Sequence, residues 1–463
     1  MRLGNAHQLL ATYADNITEQ CYVTALEIME RIDVPRGKAE PYMGLSLLYS
    51  KMGKYEQAKE YAQLALYETE KVHDTWLSTY IRLGLAIVHY FHGADDEALK
   101  IFSYCEKKFK EIGDPYGYTV CCLWQAHLFY REGNWQRFQE AMTIFLQELQ
   151  IGDYEFLLTK KTLFGPRDLQ SCLPLLLKAK EMAIHLSYLH RLLERLGYDN
   201  LDSHPGYTVK VTTFGTFTVF LGSRPVTDKE WQRIKAKELF QFLLVYREQW
   251  WTREEIYEQL WPDVPEKSAE QEFKVIMNAL NKTLEPKRKA RSTPFFIMRE
   301  GNKYRINPQA AIEIDYIDFE QWIHQGLQEK DVEKAKSLLL RGIHLYKGDF
   351  LPELANHLHI SAKRDQYRQL FLRGAERLAQ IHVQQSRFDV AIRWCERILE
   401  IDRTWEESYR LLMYCYYQKN NRPLALKYYH LCSSILKEEL GVEPMDATKQ
   451  MYDMIMEADK LEL

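Results

Sequence analysis

Between Lys274 and Arg305 nine Lys or Arg stand against two acids, Glu285 and Glu300, a net +7 inside a chain of formal charge −4. The chemistry open to such a run is the neutralisation of phosphates. Just before it, Gln271, Val275, Asn278 and Lys282 fall on one face of a helical wheel. Amides pair with adenine, lysine with guanine or phosphate, and an aliphatic group with the thymine methyl. Val275, Asn278 and Lys282, with Lys274 at the flank, are therefore the candidate base readers. Lys287, Arg288, Lys289, Arg291 and the hairpin residues Arg299, Lys303 and Arg305 are the candidate phosphate contacts. An ordinary solvated helix face has the same spacing, and the cations that follow at once separate the two readings.

Other chemistries lack their residues. Gly37-Lys38 and Gly53-Lys54 have neither a glycine five before nor Ser or Thr after, so there is no phosphate-cradling loop. No Gly-x-Ser-x-Gly or His-Glu-x-x-His occurs. Glu353 and His357 would share a helix face, but His359 would point away, and His185 and His190 are five apart. We expect no catalytic site, no metal and no cofactor. The eight cysteines form no C-x-x-C pair, which suits reduced core residues. No apolar run reaches the length of a membrane span, and the N-terminus has no signal core, so a cytoplasmic location is expected.

The elements that position the cations come next. Ala269, Phe273, Ile276, Met277, Leu280 and Leu284 form the apolar stripe of a helix over 268–284, with Ser268 and Gln271 as its capping box. FFIMREGNKYRINP alternates around Gly301-Asn302 as a hairpin. Upstream, YTVKVTTFGTFTVFLGSRPV reads as a small antiparallel sheet with turns at Gly215 and Gly222. Helical patterns follow near Trp231 and from Thr252, whose capping box pairs with Glu255.

Residues 1–200 read as helices that repeat. Gly53, Gly93 and Gly133 are 40 apart, each between an aromatic-rich helix and a second helix. Ala58 and Ala98 lie five after their glycines, and Phe138 replaces the alanine in the third unit. Fixed-period helix pairs imply an α-solenoid, whose concave face suits a peptide or small-molecule effector. The stretch from Gly197 to Gly206 has linker composition. Near the C-terminus Arg387 and Asn421, and Ala391 and Ala425, are 34 apart.

These motifs carry a resemblance. Met43-Gly44 and Leu83-Gly84, each before a Tyr, with Ala58 and Ala98, resemble tetratricopeptide repeats. The opening strands, Trp231, Lys235, Leu239, Thr252 to Glu255 and Leu260-Trp261-Pro262 resemble the winged helix of response regulators and of the antibiotic-regulatory-protein family. Asp315, Asp318-Phe319, Leu345 to Leu351, Trp405 to Glu407 and Leu436 to Pro444 resemble the bacterial transcriptional activator domain. The resemblance implies that helix 268–284 enters the major groove of duplex DNA. It also implies that Trp261 and Asp263 touch RNA polymerase, and that the C-terminal domain positions the DNA-binding domain or dimerises it. Leu280-Asn281 and Lys303-Tyr304 depart from the family's Leu-Arg and Gly-Tyr.

The expected fold is mainly α: two α-solenoid (tetratricopeptide-like) regions flank a winged-helix α+β DNA-binding domain. The expected domains are 1–200, 207–312 and 313–463. The expected function is sequence-specific DNA binding by a transcriptional regulator, in the activating sense, as a possible homodimer or as the tail of a longer protein. The alternative is a helical-repeat scaffold whose winged helix contacts protein. Residues 207–310 carry a net +5 and the remainder −9, a separation that a scaffold does not require.

Overall fold

The computed structural model describes residues 1–10, 15–262, 264–289, 291–354 and 358–457. The N-terminal helices are α1 (Arg2–Leu10), α2 (Asp15–Arg31), α3 (Pro35–Lys51), α4 (Tyr55–Glu70), α5 (Thr75–His92), α6 (Asp95–Ile112), α7 (Pro115–Glu132), α8 (Trp135–Ile151), α9 (Phe156–Thr159), α10 (Leu173–Glu181) and α11 (Leu186–Leu196). The central elements are β1 (Val209–Thr212), β2 (Thr218–Leu221), β3 (Arg224–Pro225), α12 (Ile234–Val245), β4 (Trp251–Thr252), α13 (Arg253–Leu260), α14 (Glu266–Leu284), β5 (Ile297–Glu300), β6 (Lys303–Ile306) and β7 (Ile312–Ile314). The C-terminal helices are α15 (Asp315–Gln328), α16 (Val332–Leu345), α17 (Leu358–Gln384), α18 (Phe388–Ile401), α19 (Glu406–Gln418), α20 (Arg422–Glu439) and α21 (Asp446–Glu457). Among the described residues no helix is long and apolar enough to cross a membrane.

The chain folds as two compact units. One is Met1–Thr208 with Tyr246–Thr252 and Asn281–Ala311; the other is Val209–Val245 with Arg253–Leu280 and Ile312–Leu463. The partition runs through the segment expected as one middle domain. Its hairpin goes with the N-terminal repeats, and its other sheet and most of its helices go with the C-terminal helices.

In the first unit α3 to α8 stack as three antiparallel pairs. Gly53, Gly93 and Gly133 adopt φ of +75, +86 and +72°, the left-handed turn the spacing called for. The bonds Lys54 N to Tyr49 O, Ala94 N to His89 O and Asn134 N to Phe129 O close each turn. Ala58, Ala98 and Phe138 are all fully buried, the last against Tyr130 and Trp135. The expected linker is packed in place. His204 is buried with its ring 4.4 Å from that of Phe295. The Thr208 N–H and hydroxyl both donate to Asp168, at 2.7 and 2.9 Å. Strand β4, unforeseen in the sequence, adds to the hairpin as a sheet of order β4-β6-β5.

In the second unit the sheet order is β3-β2-β1-β7. The antiparallel part follows the alternation, and Gly215 and Gly222 have φ of +78 and +63°. Strand β7 pairs in parallel with β1 through Val209↔Ile312 and Val211↔Ile314, a long-range partner that the local pattern does not announce. Asp315 opens α15 at the end of β7. Its carboxylate accepts from the Thr213 N–H at 2.8 Å and the Thr213 hydroxyl at 2.6 Å. Burial pushes this carboxyl up, and the bonds from Thr213 pull it back. Phe214 lies among the rings of Phe319, Tyr346, Phe350 and Tyr367, at centroid distances of 4.9 to 6.0 Å. Gly215 N bonds to Asp349 O and Leu351 N to Thr213 O, both at 2.9 Å. The C-terminal residues that carried the resemblance thus grip the tip of the first hairpin.

Candidate nucleic-acid interface

Helix α14 separates two faces cleanly. Ala269, Phe273, Ile276, Met277, Leu280 and Leu284 are all buried. Gln271, Lys274, Val275, Asn278 and Lys282 are all exposed, Val275 to 51 %. An aliphatic residue left half in water beside an amide and two lysines suits contact with base edges. The helix starts two residues earlier than expected, at Glu266. The Ser268 N–H already bonds to Pro265 O, so Ser268 lies inside the first turn and does not cap it. That corrects the expected capping box and frees Gln271 from it. Lys274 is tied to Glu270 at 2.9 Å, and Arg253 approaches the same carboxylate at 3.7 Å. The Lys274 hydrogen bond holds Glu270 below its usual range.

The loop after the helix is built on a buried acid, Glu285. Glu285 accepts from the N–H of Phe295 at 2.7 Å and of Phe296 at 3.1 Å. Burial pushes its carboxyl up, and these bonds with Arg288 pull it back. Asn307 closes the other side, donating to Phe295 O at 2.8 Å and receiving Gln309 N at 2.9 Å. The Asn307-Pro308 pair after an alternating strand was the available sign of this turn.

Within that frame the cations divide. Lys287, Lys289 and Arg291 are exposed, and among the described residues none carries an ion pair. Arg288 is half-buried; its guanidinium bonds to Ser292 O, and Nε lies 3.8 Å from Glu285. Its charge is engaged inside the loop, whereas those of Lys287, Lys289 and Arg291 face solvent. In the hairpin Arg299 and Lys303 are exposed on either side of the two-residue turn, where Gly301 has φ of +60°. Arg299 Nε bonds to Gly301 O at 2.9 Å. Arg305 is half-buried over the Trp250 ring, 4.9 Å from its centroid.

One expectation changes here. Trp261 is 5 % exposed, with its ring 6.3 Å from that of Tyr257, so it is a core residue with little surface for a polymerase. Asp263 lies outside the described residues, as does His357 of the weighed metal trio. Asn281, one of the two departures from the family pattern, is 8 % exposed and belongs to the interior.

Comparison with known proteins completes the picture. Residues 314–456 match the bacterial transcriptional activator domain, and residues 39–71 match a tetratricopeptide repeat. Over 80 residues the chain is 34 % identical to the transcriptional regulatory protein MoaR1 of Mycobacterium bovis, and equally to that of Mycobacterium tuberculosis. The match covers 17 % of this chain and 26 % of each relative, so the chain spans about a quarter of their length. Among solved structures, Mycobacterium tuberculosis EmbR in complex with a low-affinity phosphopeptide aligns at 17 % identity and a TM-score of 0.46. That alignment covers 54 % of this chain and 66 % of EmbR.

Proposed function

We propose that this chain, of the antibiotic-regulatory-protein type by its bacterial transcriptional activator domain and N-terminal tetratricopeptide-like repeats, regulates transcription by binding duplex DNA. One observation carries the reading. On α14 every apolar stripe residue is buried and every candidate base reader is exposed, and in the segment that follows Lys287, Lys289 and Arg291 are exposed as well. In this reading Val275, Asn278 and Lys282 read bases in the major groove. Lys287, Lys289, Arg291, Arg299 and Lys303 contact phosphates and set affinity and salt dependence. The function is non-enzymatic and activating. The N-terminal repeats take the effector, and the C-terminal domain holds the first hairpin of the winged helix through Asp315 and the Tyr346–Leu351 loop.

The test is selection from a pool of random duplex DNA, sequenced, at two salt concentrations. An enriched motif whose binding weakens steeply with salt supports the reading. Binding that depends on salt but enriches no motif removes the base-reading half. No binding at either salt favours the scaffold alternative.

A further inference from the structure

Helices α5 and α6 enclose an open groove of about 460 Å³. Arg82 and His89 line it from α5, and Glu97, Lys100, Ile101 and Tyr104 from α6. The two sets lie at helical spacings, so each comes from one face of its helix. Arg82 places its guanidinium 5.5 Å from the Tyr104 ring centroid. Among the described residues neither Arg82 nor Lys100 carries an ion pair, and Glu97 is the one acid in the lining. His89 is buried, with Nδ1 3.0 Å from the Tyr55 hydroxyl, and burial lowers its pKa. Tyr104 is 46 % exposed, so an aromatic surface lies open beside the cations.

The repeat itself does not ask for these side chains. Forty residues before and after, Arg82 is replaced by Tyr42 and Cys122, Lys100 by Glu60 and Glu140, and Tyr104 by Leu64 and Ile144. The packing residues recur at that period, as at Gly53, Gly93 and Gly133, whereas the groove residues do not. What stacking does not require is available for recognition.

We infer that the α5–α6 groove is a binding site for a small organic anion, a carboxylate or sulfonate on an aromatic body. The volume is that of a small-molecule site. Arg82 presents the planar fork that suits a carboxylate, Lys100 adds a second positive charge, and Tyr104 with Ile101 receives the ring. This names a ligand class for the effector reading of the N-terminal repeats and is separable from DNA binding, because its assay contains no DNA.

The assay is a fluorescence titration of the full chain with anilinonaphthalene sulfonate as the anionic probe and phenylnaphthylamine as its uncharged counterpart. Arg82→Gln and Lys100→Gln should each weaken the sulfonate roughly tenfold and leave the uncharged probe unchanged. Tyr104→Ala should weaken both probes. Both cations are solvent-accessible, so the substitutions should leave the thermal melt in place; should Arg82→Gln lower it, Lys100→Gln alone decides. Equal sulfonate binding by the parent and the substituted chains overturns the inference, as does a parent chain that shows no saturable binding.

Discussion

The Thr213 N–H and hydroxyl both end on the carboxylate of Asp315, 102 residues further along the chain. One acid at the end of a parallel strand thereby fixes the turn between β1 and β2 to the first C-terminal helix. Asp315→Ala leaves a buried N–H without a partner and should cost about 2–4 kcal/mol in urea unfolding of the full chain. Thr213→Val removes only the hydroxyl bond and should cost about 1 kcal/mol. Equal losses would show that the carboxylate is not holding the backbone.

Gly215 offers a sharper test of the same seam. Its φ is +78°, and a Cβ there would meet Lys347 O at 3.3 Å. Gly301, in the exposed hairpin, has φ of +60° and nothing within 4 Å of such a Cβ. Gly215→Ala should therefore destabilise by about 1–3 kcal/mol, and Gly301→Ala by about 1 kcal/mol, backbone strain being common to both. The comparison is read from the two unfolding midpoints.

Asn278 is exposed in the middle of the solvent-facing side of α14. Asn278→Ala should cost about 1–3 kcal/mol on the selected DNA motif and little on random duplex, measured by fluorescence anisotropy. A comparable loss on both would remove Asn278 from base recognition.

Lys287 and Arg288 are neighbours with different expected roles. Lys287→Ala should reduce the slope of log affinity against log salt by about 1. Arg288→Ala should change that slope less, because its guanidinium is engaged by Ser292 O and Glu285. Its effect should show instead as a lower unfolding midpoint. Equal slope changes would make Arg288 a phosphate contact after all.

Two buried histidines predict acid sensitivity in the unit that holds the N-terminal repeats. Burial lowers His127 to about 3 and His204 to about 4, below the ordinary value of 6.5. Both are neutral when folded and take a proton when unfolded. Their stabilisation is present above the unfolded value and is lost as pH falls toward the folded values. From about pH 7 to pH 5 each should cost about 2 kcal/mol. Thermal melts across that range should fall, and less steeply in His127→Gln. A pH profile unchanged by the substitution would mean that His127 already titrates normally in the fold.

The amino-acid sequence by itself determined what depends on short spacing. The apolar stripe from Ala269 to Leu284 set which face of α14 is buried, and hence which residues face water. The glycines 40 residues apart set the left-handed turns of the repeats, because a backbone with positive φ selects glycine locally. Tertiary structure alone decided what depends on distant partners. The parallel pairing of β7 with β1 rests on residues a hundred positions apart, and so does the hold of Asp315 on Thr213. The same holds for Trp261, whose position after a helix suggests a surface loop, while its ring packs beside Tyr257. It holds too for Arg288, one of four closely spaced cations by sequence and the one turned inward by a buried Glu285. Periodicity along the chain reports which face of an element is apolar; it carries no information on which distant group satisfies a polar atom once that face is buried.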